Sequence, residues 1–260
     1  MNTGFDGTAA GMHFQGAAAG AERGHHVLAF DGSGQGALST TSTWCSGPTG
    51  NMVGPVLDYV RTLPGVDGER VALRGLSMGG LLAPRAAAFE HRLAAVITVD
   101  GVYDQGQTVR DAAGDVPGLE RRLRAGADPE LDAQLARQMQ ARPVMRWAME
   151  QAQHAFGVPT PRQACAAFLD YHLRDGIAEK ITCMALICDA ASGLFFAGQA
   201  RQLFDHLTCP KTFLEFTADE GADAHCQAGA ERLARARICN WLDDTLGSPD
   251  QHTRTGDQNR

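Results

Sequence analysis

The sequence predicts an α/β fold, a mostly parallel sheet flanked by helices, on three observations. Short aliphatic runs of strand length recur along the 260 residues, at 26–30, 70–74, 94–99, 181–188 and 212–216. Segments of helical pattern separate them, the alternation that builds parallel strands joined by crossover helices. One run, Arg70-Val71-Ala72-Leu73-Arg74, passes through Gly75-Leu76-Ser77-Met78-Gly79-Gly80 into a helix-forming series, which reads as strand, tight turn, helix.

Taken in order, residues 8–22 are alanine-rich with Thr8 as an N-cap, which predicts a helix ended by Arg23-Gly24. Residues 26–30 read as a buried strand, and Asp31-Gly32-Ser33-Gly34-Gln35-Gly36 as the loop at its carboxyl end. The glycine spacing is not G-x-G-x-x-G and no acidic residue lies at ribose distance, so a dinucleotide site is not expected. Residues 51–63, with Met52, Val53, Val56, Leu57 and Val60 on one face, predict a helix stopped by Pro64-Gly65. The strand at 70–74, its turn and a helix to about residue 90 follow, then the strand at 94–99 closing on Asp100-Gly101-Val102-Tyr103-Asp104.

From residue 105 to 180 the composition is helical with no convincing strand, and the expected helices are 116–125, 129–149 and 162–175. An insertion of this length between sheet strands is expected to fold as a helical cap over the strand ends. Met139, Met145, Trp147, Met149 and Phe156 either line a pocket there or simply hold the cap together. The strand at 181–188, a helix at 198–207, the strand at 212–216 and a closing helix at 228–246 complete the plan. The expected organisation is therefore a first core part (1–104), a cap (105–180), a second core part (181–247) and a disordered polar tail (248–260).

A net charge of -7 carries no footprint for nucleic acid or an anionic membrane surface. Seven cysteines, an odd number without paired short spacing, do not form a disulfide framework and point to a reducing compartment. The start Met1-Asn2-Thr3-Gly4-Phe5-Asp6 lacks the features of a leader, and no apolar run has the length of a membrane span. The expectation is a soluble cytoplasmic protein acting on a small molecule, with a homodimer left open.

The chemistry starts at Ser77. In G-x-S-x-G between strand and helix the serine occupies a strained turn, and only small residues two before and two after it let strand and helix pack that closely. The turn aims the head of the next helix at Ser77 Oγ, so Met78 N–H is a candidate oxyanion donor. His225 follows the last strand in a Gly-rich acidic loop, which suits a general base; the other histidines flank strands or helices. Serine, then an acid, then histidine is the chain order of an α/β-hydrolase triad.

A family resemblance rests on longer stretches. Phe30-Asp31-Gly32-Ser33-Gly34-Gln35-Gly36, Gly75-Leu76-Ser77-Met78-Gly79-Gly80-Leu81-Leu82-Ala83-Pro84-Arg85-Ala86, Phe196-Ala197-Gly198-Gln199 and the run from Cys209-Pro210-Lys211 through Asp219-Glu220-Gly221-Ala222-Asp223-Ala224-His225-Cys226 resemble one α/β-hydrolase group. That group contains 2,6-dihydroxypseudooxynicotine hydrolase and fungal polyketide-shortening hydrolases. The resemblance implies an α/β-hydrolase fold and hydrolysis of an ester-like or 1,3-dicarbonyl bond, without metal or organic cofactor. It also implies that Asn2-Thr3-Gly4-Phe5-Asp6-Gly7-Thr8 supplies a second oxyanion N–H, from Phe5; an ordinary glycine turn is the competing reading.

Two departures accompany it. Members of the group carry a strand leading directly into the segment that matches residues 2–8, so a strand between those of Val27 and Val71 is expected to be missing or reduced to a stub. A gap there leaves ladder groups unpaired, at about 1–3 kcal/mol for each buried one. The slot of the family carboxylate holds Ser192-Gly193; Asp189 is the nearest replacement, with Asp100 and Asp104 as alternatives and no effective acid as another. A serine hydrolase is the leading reading, beside a non-catalytic homologue that binds a ligand or partner and an acyltransferase.

Overall fold

Four strands, β1 (Ala72–Leu76), β2 (Ala95–Val99), β3 (Met184–Ala190) and β4 (Lys211–Phe216), form one parallel sheet in the order β1-β2-β3-β4. The structure is a computed structural model that describes residues 1–38 and 52–247. Side chains alternate across the sheet with the period of two that extended chain imposes. Leu73, Val96, Ala185 and Ile187 turn to one face, into the larger core, and Ile97, Val99, Leu186 and Cys188 to the other.

The helices are α1 (Ala17–Glu22), α2 (Val53–Val60), α3 (Gly79–Ala87), α4 (Gln105–Ala113), α5 (Leu119–Leu123), α6 (Pro129–Ala141), α7 (Pro143–Phe156), α8 (Pro161–Phe168), α9 (Gln199–His206) and α10 (Glu231–Leu246). Leu81 of α3 and Leu203 of α9 enter the larger core, whereas Ala234 and Ile238 of α10 cover the opposite face. Helices α4 to α8 fill the stretch between β2 and β3. No described helix is long and apolar enough to cross a membrane.

Several expectations are corrected. The helix expected over 8–22 is a 3-10 turn, Gly11–His13, and then α1, because Gly16 between them adopts φ 133. The helix expected over 129–149 is two: Arg142, before a proline, is driven to extended backbone (φ -131, ψ 101), and Pro143 then opens α7 without losing an amide bond. The segment 162–175 is helical only to Phe168, since the chain turns so that His172 can pair with Asp104. Helix α4 lay in a polar stretch with no apolar stripe to mark it.

Residues 26–30 do not form a full strand: their ladder pairing is a single bridge, Asn2 to Phe30. Asn2 also bridges Gly75 of β1, so the strand between them exists as a stub. Asn51, the first residue of the helix expected over 51–63, and the tail at 248–260 lie outside the described residues.

Candidate active site

Ser77 stands between β1 and α3 at φ 56, a left-handed conformation that a non-glycine residue adopts only under constraint from its surroundings. The constraint is visible: Ser77 N–H donates to Val99 O at 2.9 Å, and a Cβ on Gly75 would lie 1.9 Å from Gly79 O. Strand and helix therefore meet backbone to backbone at the turn, and the serine hydroxyl is lifted away from both.

His225 opens a short 3-10 turn (His225–Gln227) in which Cys226 and Gln227 both take φ 54. Its Nε2 is 3.0 Å from Ser77 Oγ. Its Nδ1 lies 2.5 Å from Asp100 Oδ2, an ion-pair contact without the angle of a straight hydrogen bond. Asp100 leaves β2 at φ 63 and is 4% exposed. Two donors hold it: Cys226 N–H to Oδ2 at 2.8 Å and Gln227 Nε2 to Oδ1 at 3.1 Å. Four non-glycine residues at positive φ thus converge on one spot, which is where backbone strain accumulates when geometry is being enforced.

Asp189, the first-choice acid from sequence, is not the carboxylate at His225. It is the penultimate residue of β3, opposite Glu215, and burial together with the charges of Asp100 and Glu215 pushes its carboxyl above the usual range. Asp104 is also excluded from the contact, because its carboxylate is paired with Arg110 and, at 3.2 Å, with Arg174.

Met78 sits at the head of α3, where the first amides have no acceptor within the helix. Gly4 lies against the same turn so closely that a Cβ on it would fall 2.8 Å from Ser77 Cβ and 3.1 Å from Met78 N. The Gly4–Phe5 peptide therefore runs past the serine. Gln35 clamps it: Nε2 donates to Thr3 O (3.0 Å) and Gly4 O (2.7 Å), while Oε1 accepts from Asn2 Nδ2 (2.9 Å) and Gly32 N–H (2.7 Å). Helix α7 reaches the other side, with Gln151 Nε2 donating to Phe5 O at 3.2 Å and Trp147 edge-on to the Phe5 ring.

Gln35, Gln199 and Gln227 were not singled out from sequence, although the first two stand inside quoted motif stretches. Gln199 Oε1 accepts from Tyr103 N–H and Asp104 N–H at 3.0 and 2.8 Å and so fixes the loop that carries Asp100. Phe195 and Phe196 put their rings 5.1 and 5.7 Å from the His225 imidazole and wall one side of it. Leu194 and Phe195 remain exposed beside them.

Ligand atoms of Asp100, His225 and Cys226 lie within 4.8 Å of one another. They do not make a free metal cradle, because both Asp100 oxygens and His225 Nε2 are already engaged. Burial and the Asp100 charge push the Cys226 thiol up, so it stays protonated beside the imidazole. What remains is a hydroxyl that can pass its proton to an imidazole whose far nitrogen is held by a carboxylate.

Comparison with known proteins shows the family and the fold. Hydrolase LUC6 of Fusarium sp is 30% identical over 257 residues, a match spanning 94% of this chain and 61% of that protein. The 20-hydroxy-prefusarin hydrolase FUS2 of Gibberella moniliformis is 30% identical over 263 residues, spanning 94% and 60%. The chain thus spans about three fifths of the length of these relatives. The crystal structure of 2,6-dihydroxy-pseudo-oxynicotine hydrolase shares the fold, with a TM-score of 0.69 at 20% identity over 95% of this chain and 59% of that one. The alpha/beta hydrolase family matches residues 4–243, and the chain belongs to that family.

Proposed function

We propose that the chain is a serine-nucleophile hydrolase of a small-molecule substrate, cleaving an ester-like bond or a carbon–carbon bond of a 1,3-dicarbonyl. The observation that carries this is the line from Ser77 Oγ to His225 Nε2 (3.0 Å) and from His225 Nδ1 to Asp100 Oδ2 (2.5 Å). Residues 105–180 act as the cap over that line, and no metal or organic cofactor takes part.

In this reading His225 Nε2 takes the Ser77 proton as Oγ attacks the carbonyl carbon, and the Asp100 carboxylate stabilises the imidazolium and fixes its tautomer. The oxyanion is held by Met78 N–H and Phe5 N–H. Collapse breaks the bond to the leaving group, which takes the proton from His225: an alkoxide becomes an alcohol, and the enolate carbon of a 1,3-dicarbonyl becomes a C–H. Water, deprotonated by His225, then attacks the acyl-Ser77 ester and frees the acid. The relatives named above are hydrolases, which supports this class of reaction.

A fluorophosphonate probe tests the reading. Native protein is expected to gain one adduct on Ser77, and Ser77→Ala to gain none while keeping its fold. A folded protein that takes no adduct on Ser77 would leave only a non-catalytic homologue.

A further inference from the structure

The strip that carries Phe5 N–H is held from two sides by different parts of the molecule. On the core side Gln35 Nε2 donates to Gly4 O at 2.7 Å. In a trans peptide the carbonyl and the N–H that follows it point in opposite directions, so this bond turns Phe5 N–H away from Gln35. A single bond at the carbonyl still lets the peptide plane tilt. Gly4 has no side chain to restrict its dihedrals and no room for one, since a Cβ there would lie 2.7 Å from Leu76 O. The tilt is set by whatever holds the next residue, Phe5.

Phe5 is held from the cap. Its ring stands 6.1 Å from that of Trp147, edge-on, and 5.6 Å from that of Phe168, which ends α8. Phe168 is buried and is backed in turn by Phe156 of α7, edge-on at 5.0 Å. These rings locate Phe5 but do not direct its carbonyl. Gln151 does, with Nε2 donating to Phe5 O at 3.2 Å. Trp147 and Gln151 are four residues apart in α7 and therefore share one face of that helix, so a single cap surface grips both the ring and the backbone of Phe5.

We propose that Gln151 is a positioning residue of the oxyanion site. By holding Phe5 O it sets the tilt of the Gly4–Phe5 peptide, so that a helix of the cap, and not the core alone, aims the second oxyanion donor. This rests on the hydrolase reading above, in which Phe5 N–H binds the oxyanion. Gln151 acts through Phe5, so its effect falls on states in which the carbonyl oxygen has become an anion, and substrate binding is spared.

The test uses the full chain and Gln151→Met, which keeps the length of the side chain and removes its donor. On an activated ester kcat should fall by about tenfold, less than the 10²- to 10³-fold cost of removing an oxyanion donor outright, with KM changed by less than about twofold. An alkyl trifluoromethyl ketone reads the same site without turnover. Ser77 Oγ adds to its carbonyl carbon, the serine proton passes to His225, and the ketone oxygen becomes the oxyanion. The inhibition constant should rise by about the factor by which kcat falls. Gln151→Glu, which sets an acceptor against Phe5 O, should lose at least as much. Gln153→Met is the control, because Gln153 lies on the same helix and donates to Pro159 O at 2.9 Å; it should leave kcat and ketone binding unchanged. Circular dichroism checks the helices of each variant.

Gln151→Met that matches wild type in both measurements, or that loses kcat with ketone binding intact, would overturn the proposal. So would a rise in KM alone, which would mean that Gln151 touches substrate. Wild-type protein that neither hydrolyses the ester nor binds the ketone would instead remove the hydrolase reading itself, and the role of Gln151 with it.

Discussion

Asp100, leaving β2, lies 2.5 Å from Nδ1 of His225, although the neighbouring strand β3 carries a carboxylate of its own, Asp189, at its penultimate residue. The two strand ends are adjacent, since Gly101 N–H donates to Cys188 O at 2.9 Å. What separates the two acids is the backbone. Asp100 at φ 63 swings its side chain under the histidine turn, where Cys226 N–H and Gln227 Nε2 donate to it. At Asp189, burial and then the charges of Asp100 and Glu215 oppose ionisation and push the carboxyl up.

Asp100→Asn should therefore lower kcat on an activated ester about 10³- to 10⁴-fold, the order found when an orienting acid is replaced in a serine hydrolase. Asp189→Asn should change kcat by less than about threefold. Circular dichroism checks that both variants fold. Equal losses in the two variants would show that the carboxylate at Nδ1 has been misassigned.

Gly4 has no room for a side chain. A methyl there would lie 2.7 Å from Leu76 O and 2.8 Å from Ser77 Cβ, so Gly4→Ala must displace either the serine turn or the strip carrying Phe5 N–H. A shift of an ångström in a reacting constellation costs about 10²-fold. The expected outcome is a drop of that order in kcat with little change in KM, read by steady-state kinetics.

Gln35 uses both ends of its amide to hold that same strip. Gln35→Ala strips Thr3 O, Gly4 O and Asn2 Nδ2 of a partner inside a site that is 3% exposed at Gln35. Leaving such groups unpaired costs about 1–3 kcal/mol each, less what water can recover. Urea unfolding should show a loss of about 2–4 kcal/mol, and Gln35→Glu, which sets a carboxylate against two carbonyls, should lose at least as much.

The parallel sheet and the approach of His225 to Ser77 were legible because they rest on local patterns: aliphatic runs, glycines around a turn, and a histidine between strand and helix. The acid was not, since Asp100, Asp104 and Asp189 all follow strands and nothing in the one-dimensional pattern reports that Asp100 takes φ 63. Gln35 and Gln199 escaped for a related reason. Their importance is in bonds to backbone groups about 30 and 95 residues away, and no spacing rule reaches so far. Residues 26–30 carried a strand's composition but lacked a full-length partner, so the ladder closed over a single bridge.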